Sequence, residues 1–82
     1  ENDKWGQIRQ RMAENTPDDA WEGVFRFLYE YIGELPTFEK DMLKQDEAII
    51  TIADHLYKNN FVADYEINFA ACIIKLSRIA KR

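Results

Sequence analysis

The sequence contains very few of the residues on which catalytic sites and disulfide bonds depend. Its 82 residues include one cysteine, one histidine and one serine, which are Cys72, His55 and Ser77. A single cysteine cannot form a disulfide within the chain, so the sequence gives no sign of secretion. The longest apolar run, Phe69–Ile74, has six residues, whereas a membrane-spanning helix needs about 20. We therefore expect an intracellular, cytoplasmic protein that does not associate with membranes.

Glycine and proline are also scarce, with three and two residues respectively. The sequence has no glycine-rich phosphate loop, and no Gly/Ser-rich stretch divides it into domains. A chain of this length is enough for one compact domain but not for two. We therefore expect a single helical domain over residues 1–82. The chain begins at Glu1 and not at a methionine, so this domain is expected either as the whole protein or as part of a longer one.

Charged residues, in contrast, are abundant and unevenly distributed. They make up 32% of the chain, and the formal net charge is −4. Residues 1–46 hold eleven acids and six bases, hence −5, whereas residues 47–82 hold four acids and five bases, hence +1. An acidic domain is poorly suited to nucleic acid, because phosphate binding needs a basic face. The C-terminal bases that keep a DNA-binding alternative open are Lys75, Arg78, Lys81 and Arg82.

Apolar residues recur with helical spacing along most of the chain, and no useful stretch alternates with a period of two, so we predict an all-α fold. Thr16 and Pro17 indicate the start of the second helix, as N-cap and first helical residue, and Gly33 indicates its end. Gly6 weakens the first helix, which is the least certain. The four predicted helices run over about residues 3–14, 17–32, 38–58 and 62–81.

The third and fourth helices have clear boundary signals of their own. We favour one long third helix over a break near Asp46, and we expect Asn59 and Asn60 to end it in the left-handed conformation. Asp64 or Asn60 is the expected cap of the fourth helix. Because all the turns are short, the predicted architecture is a small antiparallel bundle of four helices.

The predicted helices carry more apolar surface than one buried face requires. A helix packed on one face needs an apolar arc somewhat above about 100°. At about 100° per residue, the second, third and fourth helices exceed that arc. Either the fourth helix is covered on several sides, or the additional stripes bind another protein. The residues predicted to form such an interface are Phe27, Tyr29, Tyr31, Leu43, Ile50, Tyr57, Ile67 and Ile74.

No combination of residues indicates catalysis, a cofactor site or a metal site. His55 projects to the polar side of the third helix beside Thr51 and Lys58, so we predict a solvent-exposed histidine. Cys72 lies within the main apolar stripe of the fourth helix, where a buried, unreactive thiol is expected. The carboxylates are scattered and lack the spacing of a di-iron or calcium site. We therefore expect no enzymatic activity, no cofactor and no bound metal.

The pattern as a whole predicts a non-enzymatic, regulatory protein–protein interaction module that self-associates as a homodimer through apolar helix faces. Its partner is then a second copy or another protein. One alternative is an acidic inhibitor or immunity-type protein that covers a basic, nucleic-acid-handling target, because residues 1–46 are acidic. A second alternative is a DNA-binding regulator that uses the C-terminal bases. Asp64 and Glu66 weaken it, because they open the helix whose first residues would meet DNA.

Overall fold

The described part of the chain folds almost entirely into helices, which account for 85% of its residues. The computed structural model describes residues 4–82, and these residues contain no strand, so the predicted all-α fold is confirmed. The described residues form five α-helices, four of them at least seven residues long, so the predicted count of four is not reproduced. The predicted first residue of the first helix, Asp3, lies outside the described residues. In chain order the elements are α1 (Lys4–Asn15), a 3-10 turn (Asp18–Ala20), α2 (Trp21–Glu34), α3 (Pro36–Glu39), α4 (Met42–Lys58) and α5 (Tyr65–Lys81).

Thr16 follows the last turn of α1 and does not cap α2, which corrects the predicted N-cap. Its backbone N–H donates to the carbonyl of Met12 at 3.0 Å, and its hydroxyl lies 4.0 Å from the Met12 sulfur. Pro17 is extended, with φ −70° and ψ 160°, and the 3-10 turn follows it without a side-chain cap. The predicted start at residue 17 is therefore four residues too early, because the 3-10 turn comes first and α2 itself begins at Trp21.

The end of α2 also differs from the prediction. Gly33 is helical and lies inside α2, and Leu35 ends the helix in the extended conformation. Pro36 then opens the short α3 as its first residue, where a missing backbone N–H leaves no hydrogen bond unmade. Proline thus starts a new helix here instead of only terminating the preceding one.

The single helix predicted over residues 38–58 is interrupted, because Asp41 separates α3 from α4. Asp41 is extended, with φ −134° and ψ 98°, and its carboxylate accepts a hydrogen bond from the Lys44 N–H at 3.2 Å. This is N-cap geometry, and it satisfies one of the free amides that open a helix. The break expected as an alternative near Asp46 falls instead at Asp41.

The turn between α4 and α5 agrees with the prediction in position but not in conformation. Asn59 ends α4 with φ −57° and ψ −23°, which is right-handed, so the expected left-handed cap is wrong. Asp64 caps α5 as predicted, because its carboxylate accepts from the Ile67 N–H at 3.1 Å. The two longest helices, α4 and α5, have 17 residues each and therefore span about 25 Å.

The core lies between α2, α4 and α5 and is rich in aromatic rings. Phe69 of α5 packs against Trp21 and Phe25 of α2, with ring centroids 5.4 and 5.6 Å apart. The helix α1 joins this core through Trp5, whose ring meets Phe38 edge-on at 6.4 Å. The buried apolar residues are Trp5, Trp21, Phe25, Leu28, Ile32, Phe38, Ala48, Ile52, Phe69, Cys72, Ile73, Leu76 and Ile79.

Candidate interaction surfaces

The outward face of α4 carries three large apolar residues at intervals of seven. Leu43 is 76% exposed, Ile50 67% and Tyr57 66%. At about 100° per residue, they lie on one line along the helix, almost opposite the buried Ala48 and Ile52. A surface helix normally places polar residues on that line. We call the line formed by Leu43, Ile50 and Tyr57 the α4 surface.

Two further side chains extend apolar character beyond the α4 surface. Phe61, in the turn after α4, is 70% exposed, and its ring packs on Tyr57 with centroids 5.2 Å apart. Sequence reasoning missed Phe61 because it lies beyond the helix, although its spacing of four from Tyr57 was a usable signal. Met42, the first residue of α4, is also exposed.

Acidic side chains border the α4 surface. Asp46, Glu47 and Asp54 are exposed, and Lys58 is the base among them. The Lys58 ammonium lies 3.0 Å from the Asp54 carboxylate and lowers its pKa below the ordinary value of 3.8, so Asp54 is ionised at neutral pH. Glu47 pairs with the guanidinium of Arg82 at the end of α5. The α4 surface is thus an apolar line with a net negative border.

The outward face of α5 repeats this arrangement with the opposite charge. Ile67 is 67% exposed and Ile74 42%, so the helices that pack against α5 do not cover this side of it. Both lie almost opposite the buried Cys72 and Leu76 when placed at about 100° per residue. The exposed charged residues of this helix are Glu66, Lys75, Arg78 and Lys81, so its net charge is positive.

Between α1 and α5 runs an open groove of about 680 Å³, which we call the α5 groove. Trp5 and Ile73 contribute its apolar lining, together with Ile74 of the outward face. Glu66 lines it at the beginning of α5, whereas Arg78 and Lys81 line it in the last turns of that helix. Along α5, the groove therefore has an acidic residue at one end and basic residues at the other, and its lining mixes apolar and polar side chains. Its remaining lining residues are Gly6, Arg9, Gln10, Ala13, Glu14 and Ser77.

The predicted aromatic residues of α2 lie apart from these two faces. Phe27 and Tyr31 stack on each other with centroids 5.9 Å apart, beside α1 in a groove of about 240 Å³. Phe27 is 47% exposed, but Tyr31 is half-buried. Tyr29 lies under the guanidinium of Arg26 at 5.3 Å and lines a cleft between α2 and α4 that also includes Ala53. The eight predicted residues thus occupy separate places on α2, α4 and α5 and do not form one patch.

His55 is buried, with 4% of its surface exposed, which contradicts the prediction of a solvated histidine. The Asn68 side-chain nitrogen donates to the His55 backbone carbonyl at 2.9 Å, and the Asn68 side-chain oxygen lies 2.8 Å from His55 Nδ1. Because the amide nitrogen is the donor, the amide oxygen accepts, and this assigns the proton to Nδ1. The prediction failed because only the tertiary fold brings Asn68 from α5 to meet this side of α4.

Cys72 is buried as predicted, and burial raises the pKa of its thiol from the ordinary 9.0 to about 12. Residues 4–82 contain no group of three or more His, Cys, Asp or Glu side chains placed to hold a metal ion. Within the same residues, no helix combines the length and the apolar character needed to cross a membrane.

Comparison of the chain with models of known families, with characterised proteins and with solved structures gave no match.

Proposed function

We propose that this protein is a non-enzymatic protein–protein interaction module that self-associates through its exposed apolar helix faces. The observation that supports this most directly is the α4 surface, where Leu43, Ile50 and Tyr57 occupy the line farthest from the core. Covering one such side chain contributes about 1.5–3 kcal/mol. A partner that covers the whole line therefore gains a substantial driving force from it.

The charges beside the two outward faces favour a second copy as the partner. The border of α4 is acidic, and the exposed charges of α5 are mainly basic. One molecule therefore presents both members of an electrostatically complementary pair, and such complementarity steers association and fixes its geometry. If the partner is a second copy of this chain, no other protein is needed to explain the two complementary faces.

Sedimentation equilibrium over the micromolar range tests this proposal. We expect the mean mass of the wild-type protein to rise with concentration and that of Ile50→Lys to stay at the monomer mass. Gln7→Lys is the matched control, because it adds the same charge at an exposed position on α1. Circular dichroism of each variant confirms that the helices are intact. A wild-type protein that stays monomeric throughout the range overturns the proposal.

Two other outcomes would replace the proposal with another function. Monomeric protein that binds a basic protein, with an association rate that falls steeply with salt, would favour the acidic inhibitor. Salt-dependent retention on heparin would favour the DNA-binding regulator. Charge reversal at Arg78 and Lys81 separates these two, because it abolishes binding by the regulator and spares the inhibitor.

A further inference from the structure

We infer that the α4 surface of one molecule docks antiparallel against the α5 groove and the adjoining exposed Ile67 of the next, so that self-association is heterologous. This inference rests on the proposed self-association and specifies its geometry. The α5 groove lies between two helices, which is a form of site in which proteins bind a helix, and it combines apolar side chains with charged ones at both ends. The α4 helix is such an amphipathic helix, and at 17 residues it equals α5 in length.

Of the antiparallel registers that pair apolar residues, one also pairs opposite charges. When Ile50 of one molecule is set opposite Ile74 of the next, Tyr57 comes opposite Ile67, because both pairs are seven residues apart along their helices. In the same register Leu43 comes opposite Lys81, whose aliphatic stem can cover it. Spacing of seven keeps successive pairs on one seam between two helices.

The same register also aligns opposite charges at both ends. Asp46 comes opposite Arg78, and Lys58 comes opposite Glu66. All four side chains are exposed, and among them only Lys58 takes part in an ion pair within the described residues. A parallel arrangement would instead place Lys58 near the C-terminal bases of α5. The charges therefore select the antiparallel direction that the apolar residues also allow.

A symmetric contact between two α4 surfaces is disfavoured by the same residues. Antiparallel pairing about Ile50 would set Asp46 of each molecule opposite Asp54 of the other, and like charges facing each other are repulsive. The heterologous contact avoids this repulsion. It also leaves one α4 surface and one α5 groove free at the two ends of every pair, so assembly continues into a chain of molecules or closes into a ring.

Two variants that each block one face distinguish this geometry from other modes of association. Ile50→Lys blocks the α4 surface and leaves the α5 groove intact, while Ile74→Lys does the reverse. Each variant alone should be at least tenfold weaker in association than wild type. An equimolar mixture should restore one intact contact and form a 1:1 dimer that does not grow with concentration, observed by sedimentation of one fluorescently labelled variant.

The other outcomes of this experiment are decisive. If Ile74→Lys associates like wild type while Ile50→Lys does not, the contact is a symmetric one through α4. The docking geometry is then wrong and the proposed function stands. If both variants are monomeric and the mixture does not pair, the heterologous contact is likewise overturned. If wild type itself is monomeric, the docking geometry and the proposed function fall together.

Charge exchange tests the register separately from the apolar contact. Asp46→Arg should weaken association about two- to fivefold, as should Arg78→Asp, because each places like charges opposite one another. The double variant Asp46→Arg/Arg78→Asp restores opposite charges in every contact and should recover wild-type affinity. Asp19→Arg is the control, since Asp19 is exposed in the 3-10 turn and lies on neither face. A double variant weaker than either single variant would overturn this register.

Discussion

At the scale of single residues, the pair of His55 and Asn68 shows where sequence reasoning stops. His55 was predicted to be solvent-exposed, yet both side chains are buried, and the Asn68 amide pairs with the Nδ1 atom and the backbone carbonyl of His55. Such a pair is visible only once α4 and α5 are packed together, and nothing in the local sequence of either helix specifies it. Cys72, by contrast, lies among apolar neighbours on its own helix, and its burial was predictable from that alone.

The His55–Asn68 contact should contribute measurably to stability. Asn68→Ala removes the partner of the His55 ring Nδ1, whereas the His55 carbonyl keeps its hydrogen bond from the Asn59 N–H at 2.9 Å. A buried polar group left unpaired costs about 1–3 kcal/mol. We expect Asn68→Ala to lower the free energy of unfolding by an amount in that range, measured by urea denaturation. Asn60→Ala is the control, because its side-chain bond to the Tyr57 carbonyl is exposed. Equal stability of the two variants would contradict this role for Asn68.

Cys72 should be unreactive for as long as the protein is folded. With the thiol pKa raised to about 12, the thiolate fraction at neutral pH falls on the order of a thousandfold, and burial also denies access. Iodoacetamide should therefore label native protein only at the rate of unfolding, as followed by mass spectrometry. Prompt labelling of protein that remains helical would show that the thiol is accessible.

The same shift in the pKa of Cys72 has a consequence for alkaline stability. The folded-state pKa is raised, so the folded protein holds this proton more tightly than the unfolded chain does. The contribution to stability is therefore complete below pH 9.0 and is lost as the pH rises to about 12.

At the scale of helices, the sequence located most boundaries but assigned some of their chemistry to the wrong residue. Asp64 was predicted as a cap and is one. Thr16 was predicted as a cap and is not, because a 3-10 turn separates it from α2. The predicted long helix is broken at Asp41, where the Phe38 side chain is buried in the core. The local sequence shows which residues are able to cap a helix. Which of them does so depends on the tertiary fold, because the turn at the cap must let the next helix pack against the core.

The observed caps predict a specific order of effects on stability. Asp41→Ala and Asp64→Ala each remove a carboxylate that accepts a helix N–H, and such losses cost about 1 kcal/mol. Thr16→Ala removes only the contact of its hydroxyl with the Met12 sulfur, and we expect a change below about 0.5 kcal/mol. Thermal unfolding of the three variants, at one protein concentration, measures the order. A Thr16 variant as destabilised as the two aspartate variants would contradict the structure at the start of α2.

At the scale of the whole molecule, the apolar lines on α4 and α5 are exposed because the molecule is small. The described chain measures 34 × 27 × 18 Å, and its shortest dimension is less than twice the diameter of about 10–12 Å of one helix with its side chains. A molecule this thin has no outer layer to cover the far side of α4 or α5. The sequence revealed the excess of apolar surface through the width of the helical arcs. It also singled out the stripes that are exposed, which are Leu43, Ile50 and Tyr57 on α4 and Ile67 and Ile74 on α5, but it did not single out Met42 and Phe61.

The proposed self-association of the folded protein predicts that its thermal stability depends on protein concentration. A contact that forms only between folded molecules stabilises them by mass action, and above the dissociation constant each tenfold rise in concentration adds about 1.4 kcal/mol. For a domain of this size, 1 kcal/mol corresponds to about 4–8 °C in Tm. The Tm of wild-type protein should therefore rise by several degrees per tenfold increase in concentration, measured by differential scanning calorimetry.

The blocked variants supply the control for this concentration dependence. Ile50→Lys and Ile74→Lys should each give a Tm that is independent of concentration, and their equimolar mixture should regain the dependence because it restores one native contact. A wild-type Tm that falls with concentration would mean that the unfolded chain associates more strongly than the folded one. In that case the apolar lines of α4 and α5 would promote aggregation, and the ordered docking of helix into groove would be wrong.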